Sequence, residues 1–561
     1  MKKIVSLLLA LCLALSLSMA FAEDADWTMA QFAAAADIRT TLAADYTGKT
    51  VILHSNDVHG QVDGYAWIAG LRSYFDGLGA KTLLVDAGDF SQGDVYVSAS
   101  KGETAIEMMN AARYDLVTLG NHEFDFGYDK LMENLSKAKF DVLCANVRLD
   151  ETGETIFPGT KIIELDGGLK LGFFGLETPE TATKVHPGLV STITFSAFDK
   201  LYEDAQKAVD ALADADLKIG LVHLGMDEES KFNGYRSIDV LNKVTGIDFM
   251  IDGHSHYVMT AGQNGEPIQS TGTKFAYMGV VVIDNETKTI EDHFLMPTFL
   301  GNRLYAMLSV DAGVVGVANR IMKAVDEEYS SVFAKTEVEL NGAKAPGNRT
   351  EETNLGDLIA DAMLWSVVKD GGMEQVEPNA IVCITNGGGI RATIAAGDIT
   401  KKDINTVLPF GNTVAVVYVT GAELLEAMEA STFCTPDSIG GFPQTSGISW
   451  TLDTTKAFDQ GPVYTLDGKE TSYFAPASIN RVTITAINGE PFDENATYAV
   501  VTNNFCSAGG DTYNVFSRNS SSFDTGIPMD EAVIDYIGTV LDGKITAETY
   551  GAPQGRETEI K

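Results

Sequence analysis

The chain has 561 residues, of which 78 are Asp or Glu and 40 are Lys or Arg, giving a net charge of −38. With 45% hydrophobic and 21% charged residues it can bury a sizeable core, which excludes wholesale disorder. Its length exceeds one ordinary core, so two domains are the natural reading. So acidic a chain is no general partner for nucleic-acid polymers or anionic membranes, and an anionic substrate must be drawn by local cations.

The first residues read as an address. Lys2 and Lys3 precede the apolar run IVSLLLALCLALSLSM, then AFA and the acidic EDAD. A basic start, a short apolar stretch and a small-residue exit describe a secretory signal peptide over 1–22, with cleavage after Ala22 and an extension over 23–48. Cys12 lacks a small residue just before it and is not read as a lipid attachment site. No later apolar stretch approaches the roughly 18–20 residues that span a bilayer. No stable membrane insertion is therefore expected after cleavage, and the mature protein should act outside the cytoplasmic membrane: periplasmic, secreted or at the cell surface. Four cysteines then remain, Cys144, Cys383, Cys434 and Cys506. In an oxidising compartment they could pair in any of three ways, and without C-x-x-C spacing they are read as structural.

From Lys49 onward one theme recurs. The runs KTVILHSND, KTLLVDAGD, YDLVTLGNHE, FDVLCANV, LKLGFFGLE, LKIGLVHLG and IDFMIDGHSH are short, apolar and stopped by polar punctuation. Such runs read as strands buried on both faces, and helical stretches such as YAWIAGLRSYFDGL lie between them. The fold class is α/β, with a mostly central sheet and helices outside. Over 311–335 the texture changes to a single helix with Val314, Val317, Ile321 and Val325 on one face, read as an interdomain linker. A second α/β region, 336–555, carries the strands AIVCITN, TVAVVYV, RVTITAI and TYAVVTN among glycine-rich turns.

The chemistry sits at strand ends. In order they give Asp57 and His59, then Asp89, then Asn121, His122, Glu123 and Asp125, then His223, then His254 and His256. Five of the eight histidines lie in these few turns. Carboxyl ends of strands in an α/β sheet converge on one crevice, so these groups meet there. Imidazole favours zinc, iron or manganese and carboxylate or amide oxygens hold harder ions, so the set suits two divalent cations, one carboxylate bridging them. A lone histidine in such a place is usually structural; this many in this order are not.

With these motifs the first region, 49–310, resembles the calcineurin-like metallophosphatases, and the chain as a whole resembles a secreted 5'-nucleotidase. The resemblance implies a four-layer α/β/β/α sandwich joined by the linker helix to a C-terminal substrate-binding domain. It implies one ion held by Asp57, His59 and His256, a second by Asn121, His223 and His254, and Asp89 between them; zinc, manganese or cobalt would suit. His122 becomes the catalytic histidine, an imidazolium oriented by Asp125 beside the phosphate. Glu123 is read as a structural carboxylate, and His54, His186 and His293 as structural histidines. In the second region NRTEETNLGDLIADAM, ITNGGGIRATI, LPFGNTV, GGFPQTSGI and NFCSAGGDTYNVF match the family's C-terminal domain in order. They imply a base stacked between Phe410 and Phe505, a ribose hydroxyl on Asp511, and Arg349, Asn386 and Arg391 around the anionic and polar groups.

The implied reaction is hydrolysis of nucleoside 5'-monophosphates to nucleoside and phosphate, with the two domains closing on the nucleotide about the linker helix. UDP-sugar hydrolysis and 2',3'-cyclic nucleotide hydrolysis share the same motifs and are the near alternatives. A non-catalytic nucleotide-binding or surface-interaction protein is the alternative of another class. The motifs leave the oligomeric state open.

Overall fold

A computed structural model describes residues 27–165, 167–185, 187–301, 303–304, 309–369, 376–466, 468–518 and 522–561. The leader, Cys12 and His186 lie outside them. In chain order the first half contains β1 (Lys49–Ser55), α1 (Gly64–Gly77), β2 (Lys81–Asp86), β3 (Leu116–Thr118), β4 (Asp141–Leu143), β5 (Thr160–Glu164) and β6 (Lys170–Glu177). There follow β7 (Leu217–His223), β8 (Phe249–Ile251), β9 (Val258–Met259), β10 (Ile268–Thr271), β11 (Tyr277–Asp284) and β12 (Thr289–Pro297).

The seven apolar runs all form strands, but in two sheets rather than one central sheet. The first sheet has the order β12-β11-β1-β2-β3-β4 and the second β9-β10-β8-β7-β6-β5. Strands β1 to β4 are parallel neighbours, as are β6, β7 and β8. Strands buried on both faces give the same apolar pattern in either sheet, so their pattern cannot assign them. Ile52, Val85 and Leu116 of the first sheet meet Phe173, Ile219 and Phe249 of the second in a shared core. Helix α1 covers the outer face of the first sheet through Tyr65, Ile68 and Phe75. Leu201, Ala205 and Val209 of the helix Asp199–Ala211 cover the outer face of the second. The four layers are those the family resemblance implied.

Helix α2 (Ala312–Tyr329) starts at Asp311, whose carboxylate accepts from the N–H groups of Gly313 and Val314 at 2.9 and 3.1 Å. It buries Val314, Ala318 and Ile321 against the first half; Val317 and Val325 are only partly covered. The second half is built on β13 (Ile381–Asn386), β14 (Thr413–Thr420), β15 (Pro443–Ser446), β16 (Thr497–Asn503) and β17 (Ser522–Pro528). Their order is β15-β13-β16-β14-β17, while the run RVTITAI forms Val482–Ile487 in a separate four-stranded sheet. All four described cysteines are free thiols, so the possible disulfides do not form. Cys144, Cys383 and Cys506 are buried in three different apolar clusters, which keeps them apart.

One side chain fixes the loops that follow β2 and β3. Buried Glu123 accepts from the backbone N–H groups of Gly120 and Asp89 at 2.7 Å, Phe90 at 2.8 Å and Ser91 at 2.9 Å. Its carboxyl therefore ties two strand ends together. Glu123→Ala strands four buried donors, at roughly 1–3 kcal/mol each in the unrelaxed limit. Urea unfolding should show a loss of at least ~3 kcal/mol; an unchanged midpoint would mean that the clamp does not hold these loops.

Candidate active site

Asp57 and His59 follow β1, Asp89 follows β2, Asn121 and His122 follow β3, His223 ends β7, and His254 and His256 follow β8. Five of these residues adopt a left-handed backbone: Asp57 (φ 51°), His59 (45°), Asp89 (64°), His254 (78°) and His256 (62°). Each such conformation costs about 1–3 kcal/mol and persists only where its surroundings impose it. Those surroundings are visible. Both oxygens of Asp57 lie 3.1 Å from the His254 N–H, and Asp89 Oδ1 accepts the His122 N–H at 3.0 Å. A Cβ on Gly120 would stand 2.4 Å from Asp89 Oδ1, and one on Gly253 2.7 Å from His223 Nδ1. Only glycine allows that approach.

The proton positions follow from the partners. His59 Nδ1 donates to the Gln92 carbonyl (3.2 Å) and His223 Nδ1 to the Ala87 carbonyl (2.6 Å). Each ring thereby turns its Nε2 inward. His59 Nε2 stands 3.0 Å from His256 Nε2, 3.6 Å from Asp89 Oδ2 and 3.9 Å from Asp57 Oδ1. His223 Nε2 stands 3.2 Å from the same Asp89 oxygen and makes no hydrogen bond among the described residues. His254 Nε2 is 2.9 Å from Glu180 Oε2, where it donates, so its Nδ1 lone pair faces Asn121 Oδ1 at 2.9 Å. Ring nitrogens and carboxylate and amide oxygens, all able to ligate a cation, thus converge on one small buried space.

That arrangement fits cations. Ligand atoms of Asp57, His59 and His256 lie within 4.8 Å of one another, as do those of Asp57, Asp89 and His223. Asp89 Oδ2 stands between His59 and His223, where a bridging oxygen would be. Burial opposes a charge on His223, yet Asp89, Asp57 and Glu177 outweigh it and raise its pKa well above the ordinary value. Burial likewise opposes ionisation of Asp89, and His223, His122 and His59 overcome it. The centre is built for positive charge.

His122 belongs to a third group with His59 and Asp89, but its Nδ1 is held by Asp125 Oδ2 at 2.7 Å. Burial drives its pKa down to about 3. Burial thus disfavours the charged form of the ring, and an imidazolium there would need an anion beside it. Asp125 is itself buried, and its pKa is raised.

A cavity of about 240 Å³ opens beside this centre and is walled by both halves. The first half contributes Asp89, Asn121, His122, Asp125, His254 and His256, and the second Arg349, Asn386, Arg391, Phe410, Phe505 and Asp511. Every residue singled out in the second region therefore faces the same space. Phe410 lies near-parallel to His122, with centroids 5.6 Å apart, and the Arg391 guanidinium stands 5.7 Å from the centre of the same Phe410 ring. Asn386 Nδ2 donates to Asp511 Oδ2 at 2.8 Å, and burial lifts the Asp511 pKa to about 6. Arg391, enclosed and close to Arg349, has its pKa lowered to about 10, burial being the larger cause.

Several residues in or beside the cavity escaped the sequence reading, among them Lys184, Asp227, Glu229, Lys344 and Glu180. Lys344 lines it without an ion pair among the described residues, and burial, with Arg349, lowers its pKa to about 8. Nothing in NGAKAPGN marks it. Glu180, which holds His254, stands three residues beyond β6 in LETPE. The rule that found the other strand ends, a polar group just past an apolar run, applied there as well.

The comparisons agree with this geometry. A family model described as calcineurin-like phosphoesterase matches residues 50–258, and one described as 5'-nucleotidase, C-terminal domain matches 332–518. The trifunctional nucleotide phosphoesterase protein YfkN of Bacillus subtilis is 31% identical over 526 residues, 85% of this chain but only 33% of that protein. The snake venom 5'-nucleotidase of Crotalus adamanteus is 29% identical across 90% of this chain and 88% of its own length. The solved 5'-nucleotidase precursor of Thermus thermophilus superposes with a TM-score of 0.74 at 26% identity, covering 91% of this chain and 99% of that one. The chain belongs to the 5'-nucleotidase family, in which a calcineurin-like phosphoesterase domain precedes a 5'-nucleotidase C-terminal domain, and is a metal-dependent phosphomonoesterase of that kind.

Proposed function

We propose that the protein hydrolyses nucleoside 5'-monophosphates to nucleoside and phosphate, with Asp57, His59, Asp89, Asn121, His223, His254 and His256 holding two divalent cations. The observation that carries this reading is one cavity walled on one side by the cluster of ligating groups and on the other by Phe410, Phe505 and Asp511. When bound, the cations would neutralise phosphoryl charge and lower the pKa of water. His122 and Asn121 line the place where a phosphate would sit, and Asp125 keeps the His122 ring aimed at it. Arg349, Arg391 and Lys344 supply the local positive charge that so acidic a chain must concentrate to hold an anion. Phe410 and Phe505 offer aromatic faces to a base, and Asp511 with Asn386 offers an acceptor to a ribose hydroxyl.

The domain limits proposed are 49–310 for the catalytic half, 311–335 for the connecting helix and 336–555 for the nucleotide-binding half. The first 22 residues support an extracytoplasmic address, and no described helix is long and apolar enough to cross a membrane. The Crotalus relative is a venom protein by name, which supports the same address.

Manganese-loaded protein should hydrolyse AMP and chelated protein should not. Phe505→Leu should raise KM for AMP about tenfold, the equivalent of losing one stacked face at ~1–3 kcal/mol, and leave hydrolysis of p-nitrophenyl phosphate, which carries no base, unchanged. Loaded wild-type protein that leaves AMP intact while cleaving UDP-glucose or a cyclic nucleotide would overturn the assignment of substrate.

Asp511 gives a pH test. A carboxyl whose pKa is raised to about 6 is ionised above that pH and protonated below it, and the ionised form is the stronger acceptor for a ribose hydroxyl. Adenosine has no phosphate to titrate, so its inhibition constant should rise as pH falls from 7.5 to 5. Adenosine should inhibit Asp511→Asn weakly and without that dependence; an unchanged profile would remove Asp511 from the ribose.

A further inference from the structure

The segment 180–184 touches both halves of the cavity. At its start Glu180, fully buried after β6, holds His254 Nε2 at 2.9 Å through one oxygen. Its other oxygen has no hydrogen-bond partner among the described residues. The short helix Thr181–Lys184 follows. The Thr183 carbonyl accepts the backbone N–H of Asp511 at 2.6 Å, so the residue facing the ribose side of the cavity is fastened to this helix from the second half. Lys184 Nζ lies 2.7 Å from Glu229 and 3.9 Å from Glu180, and Glu229 also accepts the hydroxyl of Tyr473, again from the second half. Asp511 itself stands at φ 49°, a backbone that its surroundings must impose.

We propose that Glu180 is a positioning residue for His254 and that segment 180–184 couples this histidine to the contact between the two halves, so that filling the nucleoside side of the cavity tightens the cation centre. The proposal rests on the reading of His254 as a cation ligand. The Glu180 carboxylate fixes the Nε2–H tautomer and so presents the Nδ1 lone pair toward Asn121; a carboxylate behind a histidine ligand is worth roughly 10–100-fold in metal affinity. Through Thr183 and Lys184, separation of Asp511 and Tyr473 from the first half removes two of the restraints on the segment that carries Glu180. Coupling of this kind is reciprocal: adenosine must strengthen cation binding by the factor with which cations strengthen adenosine binding.

The test is titration of metal-free full-length protein with Mn²⁺, with and without saturating adenosine. Wild-type protein should bind two Mn²⁺ and bind them several-fold more tightly with adenosine. Glu180→Gln should lose at least tenfold in affinity at one of the two sites, Glu180→Asp should recover part of it, and the visible spectrum of the Co²⁺ form should change in Glu180→Gln. Tyr473→Phe, which touches neither cation nor nucleoside, should keep the adenosine-free affinity and lose most of the adenosine effect. Melting curves of each variant separate these results from misfolding, and Tyr473→Phe preserves the test if Glu180→Gln does not fold. Wild-type Mn²⁺ affinity and Co²⁺ spectrum in folded Glu180→Gln would overturn the positioning role, and wild-type protein indifferent to adenosine would overturn the coupling. Wild-type protein that binds no Mn²⁺ would overturn the reading of His254 together with the proposal.

Discussion

The structure depends on a set of buried imidazole, carboxylate and amide groups that converge on one small space. Imidazoles of His59, His223 and His254 have one N–H tied to a carbonyl, a carbonyl and a carboxylate, and their other ring nitrogens face imidazole, carboxylate and amide groups. Such a cluster is costly to bury, because its polar and charged groups give up water and burial leaves little solvent to screen them. The fold nevertheless holds it, at the cost of five left-handed backbones among the residues concerned. Binding divalent cations would offset that cost, so the free energy of cation binding and the stability of these loops are linked.

The two sheets explain how the cluster can be assembled. Strands β1, β2 and β3 bring Asp57, His59, Asp89, Asn121 and His122 from the first sheet, and β7 and β8 bring His223, His254 and His256 from the second. Because the sheets share a core, their strand ends lie side by side, and Asp89 meets histidines from both. The second half then closes the open side of the crevice with cations and aromatic rings. Arg349, Arg391 and Lys344 concentrate positive charge in a chain of net charge −38, where the long-range field would otherwise repel a phosphate.

Much of this was legible in the sequence because strand ends in α/β folds converge. The runs ending in NDVHG, AGD, GNHE, VHLG and GHSH are such ends, and all of them reach one place. What was not legible has physical causes. The pattern of a doubly buried strand is the same in either sheet, so the runs alone read as one central sheet, and only the family resemblance implied the two that exist. The burial that lowers the His122 pKa has no signal in the sequence either. Lys344 acquires its place from a turn whose spacing carries no signal, whereas Glu180 did follow an apolar run and was passed over because no histidine accompanied it. Pairing of the cysteines depended on distances, and three of them lie in separate clusters.

The central claim is that these groups form a two-cation centre around Asp89. Anomalous diffraction from crystals soaked in Mn²⁺ tests it most directly. The account predicts two peaks roughly 3.5–4 Å apart, one beside Asp57, His59 and His256, one beside Asn121, His223 and His254, with an Asp89 carboxylate in contact with both. A single peak, or two peaks of which one lies away from Asp89, would contradict it.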